Sequence, residues 1–120
     1  MNTVARILII VLSAIFLLAC SSHDPKRELI LGNWTLQEAV RQGRTTSTLD
    51  GLNFTFTNDS LFTNIIAFGN NEYTYENDSV TILAEDPIVF NVFYVDSTEL
   101  DLHGEIQQVR FRLKFEKMTP

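Results

Sequence analysis

Side chains that could do chemistry recur in this sequence as an Asp-Ser dipeptide. It occurs at 59–60, 78–79 and 96–97, so the aspartates are 19 and 18 residues apart. Each aspartate also follows an aromatic residue three positions earlier. Carboxylates that gather in space bind cations, and exposed hydroxyls accept covalent groups. The repeat is therefore a metal site, a set of modification sites, or the turn chemistry of a regular fold.

Other residues with chemical potential are few. His23 lies in a polar segment, His103 lies near the predicted final turn, and neither has a nucleophile nearby in sequence. Glu85 and Asp86 precede Pro87, which is typical of a loop and not of a general acid and base pair. The sequence shows no Gly-rich phosphate loop, no zinc-spaced His/Cys cluster and no calcium loop. We therefore predict that the protein is not an enzyme and binds no metal or cofactor.

The first twenty residues read as a secretory signal. A single positive charge, Arg6, precedes an uncharged apolar run of about a dozen residues that ends near Cys20. This run is shorter than the roughly 18 residues that a membrane-spanning helix requires. The final residues, Leu-Leu-Ala-Cys at 17–20, resemble the lipobox of bacterial lipoproteins. The alternative is an ordinary cleaved signal followed by an unmodified cysteine.

The lipobox resemblance implies that residues 1–19 are a lipoprotein signal peptide and that Cys20 is the lipid anchor. The thiol would carry diacylglycerol and the amine a further acyl chain such as palmitate. Each buried methylene contributes about 0.8 kcal/mol to membrane binding, so two or more chains anchor stably. The chain has no second cysteine. Ser21 stands where an aspartate would signal retention in the inner membrane, so the resemblance favours the outer membrane of the cell envelope and leaves the leaflet open.

The charge and the length of the mature chain limit its possible partners and its number of domains. The whole sequence has nine basic and fifteen acidic residues, and removal of 1–19 takes away only Arg6, which leaves a net charge of −7. This excess argues against nucleic acid as a partner. Residues 20–28 contain the lipidated cysteine, Pro25 and a polar tether. Residues 29–120 are enough for one domain with a modest core.

The domain alternates between apolar and polar residues with a period of two. Thr, Val, Ile, Phe and Tyr are concentrated between polar turn clusters. This pattern predicts an all-β fold, a small antiparallel up-and-down β-barrel or meander of about eight strands. The segment 40–51 is either a loop or a helical turn. The predicted strands are 29–39, 52–57, 60–68, 72–76, 79–84, 88–95, 98–103 and 108–117.

The last two strands can be paired by their side-chain pattern. Leu102 opposite Val109 and Asp101 opposite Arg110 place apolar residues on one face and opposite charges on the other. This register puts His103 at the final turn. It also makes the basic set Arg110, Arg112 and Lys114 a solvated outer face with acidic neighbours.

The same alternation predicts which side chains point inward, and it fails for two segments. The segments 60–68 and 88–95 are apolar on both faces, so an outer patch with Phe62, Val89 or Phe93 is a candidate interaction surface. The side chains that we expect to point inward are Trp34, Leu36, Leu52, Phe54, Phe56, Tyr73, Tyr75, Phe111, Leu113 and Phe115.

The segment "LGNWTL" at 31–36 has a Gly-x-Trp at the first strand of an eight-stranded meander, which resembles the lipocalin signature. The later segments "LNFTFTNDSLF", "NEYTYENDSVTI" and "STELDLHGEIQQVRFRLKFEK" resemble the small lipocalin-like lipoproteins of bacterial envelopes. The resemblance implies that Gly32 and Trp34 close one barrel end and that Arg110 or Arg112 stacks on the tryptophan. The side chains that would line a ligand site or the core are Trp34, Phe54, Phe56, Tyr73, Tyr75 and Phe111.

A second resemblance is to META-type envelope domains, which share a Trp-containing first strand and a final "LDL", turn and "RF" strand pair. The lipocalin resemblance implies a membrane-anchored, non-catalytic binding module for a small apolar or amphiphilic ligand. Because many aromatics point inward, we expect the barrel interior to be filled by side chains. The alternatives are an interaction or inhibitor lipoprotein that uses an apolar outer face against another envelope protein, or a META-type stress or maintenance domain.

The Asp-Ser dipeptides fall at every second predicted turn, so all three should lie at one barrel end. Asp, Asn and Ser bond their own backbone and tolerate turn geometry, which explains the repeat without a metal. The dipeptides are followed by Leu, Val or Thr and resemble the Asp-Ser/Thr-x signal for O-glycosylation of exported proteins in some Gram-negative bacteria. The expected acceptors are Ser60, Ser79 and Ser97.

Overall fold

A computed structural model describes residues 25–65 and 68–118 of the chain. The predicted signal peptide, the lipid anchor at Cys20 and the tether up to residue 24 lie outside the described residues. No helix in the described ranges is long and apolar enough to cross a membrane.

In the part of the chain that the structure describes, one short helix precedes nine strands. Helix α1 is Pro25–Leu29. The strands are β1 (Gly32–Arg41), β2 (Arg44–Thr46), β3 (Asn53–Phe56), β4 (Ser60–Thr63), β5 (Asn71–Glu76), β6 (Ser79–Ile82), β7 (Ile88–Val95), β8 (Glu99–Ile106) and β9 (Val109–Lys117). The predicted all-β class is confirmed.

The strands form one antiparallel sheet that closes on itself, because β1 also pairs with β9. The first half of β1 pairs with β3, and its second half pairs with the short strand β2. The barrel therefore has eight strands, β1 and β3 to β9, with β2 as an added hairpin arm. The up-and-down order confirms the predicted barrel.

The register defines two barrel ends. At the lower end lie α1 and the turns that follow β3, β5 and β7, since Gly32 pairs with Phe56 and Glu76 with Ser79. At the upper end lie residues 64–65 and 68–70, the segment 83–87 and the hairpin turn between β8 and β9. The β1–β2 hairpin also projects at this upper end.

The barrel interior is filled by side chains. Trp34, Phe54, Phe90 and Phe115 are fully buried. The rings of Phe54 and Phe115 stack at 4.8 Å between centroids. Apolar side chains from every barrel strand complete this core, among them Leu61, Tyr73, Val80, Leu102 and Leu113. Close packing of this kind leaves little room for a ligand deep in the barrel.

Two β-bulges interrupt the predicted alternation. In β1 the register shifts between Leu36 and Glu38, and the shift turns Ala39 into the core. In β7 it shifts between Val92 and Tyr94, so that Phe93 and Tyr94 are both exposed. A bulge places two residues of one strand against one of the other, and this reverses the faces beyond it.

The predicted register of the last hairpin is wrong by four residues. Leu102 pairs with Leu113 instead of Val109, and Asp101 pairs with Lys114 instead of Arg110. The turn consists of Gln107 and Gln108, both in the left-handed region with φ of 51° and 67°. An even shift preserves the faces, so the apolar and charged sides were predicted correctly.

Gly104 falls between the predicted strands 98–103 and 108–117, but in the structure it lies inside β8. It is opposite Phe90 and Phe111. A Cβ at this position would lie 2.8 Å from Cδ1 of the Phe90 ring and would also strike the carbonyl oxygen of Val89. A glycine in a strand often marks such a close approach. His103 is consequently a mid-strand residue, and its predicted place at the final turn is wrong.

Two other segments differ from the predictions. Strand β4 ends at Thr63 instead of residue 68, because Asn70 accepts a hydrogen bond from the Thr63 backbone and the chain turns there. The segment 40–51 is neither an open loop nor a helical turn but holds the hairpin to β2. Its turn is Gln42 and Gly43, with φ of 50° and 80°.

Candidate functional site

A cleft of about 710 Å³ opens at the upper end of the barrel. Its apolar wall consists of Phe68, Ala84, Pro87, Ile88 and Ile106. Its polar rim consists of Glu85, Asp86, Glu105, Gln107 and Gln108. These residues come from the segments around residue 68 and at 84–88, and from the β8–β9 hairpin. The cleft thus depends on the closed barrel to bring distant turns together.

The floor of the cleft is the top of the filled core. Phe68 is buried and meets Phe54 edge to face at 5.5 Å. Ile88 and Ile106 are half-buried where β7 begins and β8 ends. A ligand in this cleft would therefore rest on the core and would not enter the barrel axis.

The rim charges of the cleft are acidic. Glu85, Asp86 and Glu105 line it, and none of the described residues that line it is basic. Arg110 lines a neighbouring cleft of about 460 Å³ with Gln42 and Glu105. The upper end therefore presents apolar surface beside negative charge.

The lower end is closed by α1. The Trp34 indole Nε1 donates a 2.7 Å hydrogen bond to the carbonyl of Ile30, and both residues are fully buried. Lys26 pairs with Asp78 at 3.2 Å, and Arg27 donates to the carbonyl of Asn58 at 2.9 Å. The helix is thus bound to two of the three Asp-Ser turns.

Trp34 does not meet the arginine that the lipocalin resemblance implied. The Lys117 ammonium lies 5.1 Å from the centre of the indole ring, while Arg112 bonds Asp101 on the outer face. The cation comes from the last strand as expected, but it is a lysine. Gly32, with φ of 118°, leaves room for it, since a Cβ there would lie 2.9 Å from Lys117 Cε.

The aromatic residues predicted to line a ligand site or the core lie apart from the upper cleft. Phe54 and Phe56 are buried. Tyr73 is buried at the lower end, where its hydroxyl donates to the carbonyl of Thr57 at 2.5 Å and burial raises its pKa. Tyr75 and Phe111 are half-buried against the core. None of the five is among the residues that line the cleft.

The three Asp-Ser dipeptides lie at the lower end, as expected for alternate turns. Each aspartate accepts a hydrogen bond from the side chain of a residue within three positions of it in the sequence. Asp59 accepts from the Ser60 hydroxyl at 3.0 Å, and Asp78 accepts from the Tyr75 hydroxyl at 3.2 Å. Within the described ranges, no group of three His, Cys, Asp or Glu side chains is placed to hold a metal ion.

Asp96 accepts the shortest hydrogen bonds of the three aspartates. One carboxylate oxygen accepts from the backbone N–H of Thr98 and of Glu99, each at 2.7 Å, and the other accepts from the Tyr94 hydroxyl at 2.7 Å. The Tyr94 bond and these backbone bonds lower the pKa of Asp96 to about 2. The same bond raises the pKa of Tyr94.

The three serines differ in access. Ser60 and Ser79 are half-buried, and their hydroxyls bond Asp59 and Asn91. Ser97 is exposed at the tip of the β7–β8 turn. Of the three predicted glycan acceptors, Ser97 is therefore the one most open to a modifying enzyme.

The apolar residues predicted on the outer face are separated. Phe62 is exposed on β4, whereas Val89, Phe93 and Tyr94 are exposed on β7. Strands β5 and β6 lie between them, so they do not form one continuous patch. The β7 group borders a polar cluster on β8 and β9 that includes Asp101.

Comparison with known proteins supports the fold. No protein-family model matches the chain, and no curated protein matches it. A lipocalin-like protein from Bacteroides uniformis is similar, with a TM-score of 0.56 and 16% identity over 74% of this chain and 98% of that chain. An uncharacterized protein from Bacteroides eggerthii is similar, with a TM-score of 0.56 and 14% identity over 73% of this chain and 98% of that chain. The chain has a lipocalin-like barrel, and the META resemblance stays a prediction.

Proposed function

We propose that this protein is a non-catalytic binding module of the bacterial envelope, anchored through lipidated Cys20, that holds a small apolar or amphiphilic molecule at the upper end of its barrel. The observation that carries the proposal is the upper cleft of about 710 Å³, which is lined by five apolar and five polar residues.

The size and lining of the cleft support small-molecule binding. Ligand sites are commonly concave, with volumes of roughly 300 to 1,000 Å³, and are lined by apolar side chains with a few polar groups. The wall of the cleft has five apolar residues, and Gln107 and Gln108 provide neutral hydrogen-bond donors and acceptors at the rim. A molecule with an apolar part and a polar head matches both.

The filled interior determines the depth of binding. Large side chains such as Trp34, Phe54 and Phe115 occupy the axis. Their removal would cost the core several kcal/mol, since truncation of a buried Phe or Trp to Ala costs about 3 to 5 kcal/mol. We therefore place the ligand in the mouth and not inside the barrel.

The proposed anchor and the cleft would lie at opposite ends. Helix α1 is fastened to the lower end through Lys26 and Arg27. Cys20 precedes Pro25 by five residues, which span at most about 18 Å when extended. A lipid on Cys20 would hold the lower end near the bilayer and leave the upper cleft facing away from it.

A fluorescence titration tests this proposal. The mature chain with Cys20→Ser is titrated with N-phenyl-1-naphthylamine, a neutral apolar probe whose emission rises in apolar surroundings. Ala84→Trp should fill the cleft and abolish the saturable rise, while Phe62→Ser, on the outer face of β4, should leave it unchanged. A wild-type chain that gives no saturable rise, or an Ala84→Trp chain that binds as the wild type does, would falsify the proposal.

A further inference from the structure

Phe93 is the most exposed large apolar side chain of the described residues, at 67%, yet its ring is held in place. The ring stacks on the imidazole of His103 with centroids 4.5 Å apart and planes 9° from parallel. One face of Phe93 is thus supported by the protein. The bulge in β7 presents this residue outward together with Tyr94.

The support beneath Phe93 extends to a buried carboxylate. Asp101 is only 6% exposed although it lies on the outer side of β8, between the inward residues Leu100 and Leu102. Its Oδ2 accepts from Arg112 Nη2 at 3.0 Å, and its Oδ1 lies 3.1 Å from His103 Nε2. The Asp101 bonds raise the pKa of Arg112. The three polar side chains form one network that fixes the imidazole and, through it, the phenyl ring.

Burying the Asp101 carboxylate is unfavourable in free energy, and the packing of the barrel core does not require it. Removing a carboxylate from water is unfavourable unless it is paired, and an apolar residue of similar size is often as stabilising as a buried pair. The barrel core does not include Asp101, which lies outside it. Its hydrogen bonds link it to His103, on which Phe93 stacks, and a side chain fixed before binding loses less conformational entropy.

The outer face of the sheet near His103 is polar. Asn91 lies opposite His103 and bonds the Ser79 hydroxyl at 3.1 Å. Glu105 follows on the same outer side of β8, and Arg112 lies opposite His103 on β9. Val89 is the apolar neighbour along β7. A shallow cleft of about 220 Å³ borders the ring between Tyr94 and Lys114.

We infer that the stack of Phe93 on His103 is a saccharide-binding platform on the outer face of the barrel. A sugar ring has one face of C–H bonds, which packs on an aromatic ring, and a rim of hydroxyls, which need donors and acceptors beside it. Tyr94, Glu99 and Lys114, which line the shallow cleft beside Phe93, supply both kinds of group next to its ring. The platform is separate from the upper cleft, with which this shallow cleft shares no residue.

A protein partner fits this surface less well. A stable protein interface buries about 800 Å² on each partner, and its centre is depleted of charged residues. A phenyl side chain offers roughly 150 to 250 Å², and its neighbours here include Glu99 and Lys114, residue types that are depleted in protein interfaces. The platform matches a ligand of one or two rings.

The test is an NMR titration of the mature chain with Cys20→Ser. The probes are cellotriose, maltotriose and triacetylchitotriose, each raised to millimolar concentration. At least one should shift the resonances of Asn91, Phe93 and His103 in a saturable manner. Phe93→Ala should weaken that binding about tenfold, the effect of roughly 1.4 kcal/mol of lost stacking. His103→Ala, which retains the phenyl ring but removes its support, should weaken it several-fold.

Phe62→Ala is the matched control, because it removes an exposed phenyl ring from another part of the barrel and should not change binding. The inference is overturned if none of the three saccharides shifts these resonances, or if Phe93→Ala binds as the wild type does. A photocrosslinker at position 93 that captures an envelope protein, with all three saccharides silent, would assign the surface to a protein partner instead. Binding of N-phenyl-1-naphthylamine at the upper cleft is a separate readout, so either proposal can fail alone.

Discussion

The ammonium of Lys117 lies 5.1 Å from the centre of the Trp34 ring, and the indole N–H of Trp34 donates to the carbonyl of Ile30. One tryptophan therefore joins the first strand, the last strand and the segment after α1. This arrangement closes the lower end of the barrel. The contact with Lys117 and the hydrogen bond to Ile30 can each be removed by a separate substitution.

Trp34→Phe should destabilise the protein more than Lys117→Met. The first change leaves the buried Ile30 carbonyl without its donor, which costs about 1 to 3 kcal/mol, in addition to lost packing. The second removes a partly exposed cation from the face of the buried Trp34 ring, which is worth about 0.5 to 2 kcal/mol. Urea unfolding followed by circular dichroism measures both. A larger loss for Lys117→Met would contradict this order.

Gly104→Ala should lower the free energy of unfolding by about 1 to 3 kcal/mol, the usual cost of overpacking. The added methyl group would meet the Phe90 ring and the Val89 carbonyl. Gly43→Ala is the control, since its Cβ would enter open space and only the left-handed φ of 80° is unfavourable. Equal unfolding midpoints for Gly104→Ala and the wild type would show that β7 moves aside without cost.

Acid should destabilise the protein through Asp96. Hydrogen bonds lower its folded pKa to about 2 from an ordinary value of 3.8. The group therefore contributes stability that is fully present above pH 4 and is lost as the pH falls from about 4 towards 2. Asp96→Asn should flatten this part of the stability profile, as measured by unfolding midpoints across the range. A profile of the same slope in both proteins would contradict the assignment to Asp96.

Asp101→Asn should cost about 1 kcal/mol, less than the 3 to 5 kcal/mol that breaking a fully buried ion pair costs. The reason is that the side chain of Arg112 is 51% exposed and can return to water. The change should also loosen the ring of Phe93, which relaxation of its ring signals in NMR can detect. A loss of several kcal/mol with an unchanged Phe93 ring would mean that Asp101 serves the barrel itself.

Ser97 is the acceptor to examine first for O-glycosylation. Its hydroxyl is on an exposed turn, whereas those of Ser60 and Ser79 are half-buried and hydrogen-bonded. We expect hexose increments in the intact mass of the protein purified from its own host, and we expect Ser97→Ala to remove at least one of them. A native mass without such increments would end this proposal.

The sequence predicted the elements better than their register. Alternation between Trp34 and Leu36, or between Phe111 and Leu113, is a local pattern and placed these residues on the correct face. The turn at Gln107 and Gln108 was missed because hairpin turns of this geometry favour Asn and Gly, which adopt positive φ at low cost. The predicted strand therefore ended at His103 and left Gly104 outside it, and the predicted pairing differs from the observed one by four residues.

The two candidate surfaces were harder to predict, for different reasons. The upper cleft is assembled from turns that are far apart in sequence, such as Phe68 and Ile106, and no periodic pattern marks turn residues that share a space. The network at Asp101 depends on the true register, because the predicted one placed Arg110 beside this carboxylate instead of Arg112. The Phe93 bulge could not be recognised from alternation, since β7 is apolar on both faces apart from Asn91.

Chemical-shift mapping is the most direct test of small-molecule binding at the upper end. The Cys20→Ser mature chain, labelled with nitrogen-15, is titrated with N-phenyl-1-naphthylamine, and the shifted amides are placed on the structure. Binding in the upper cleft should give saturable shifts concentrated at Ala84, Ile88, Ile106 and Gln107. Shifts concentrated at core residues such as Phe54 and Leu113, or at the lower end around Trp34, would contradict it.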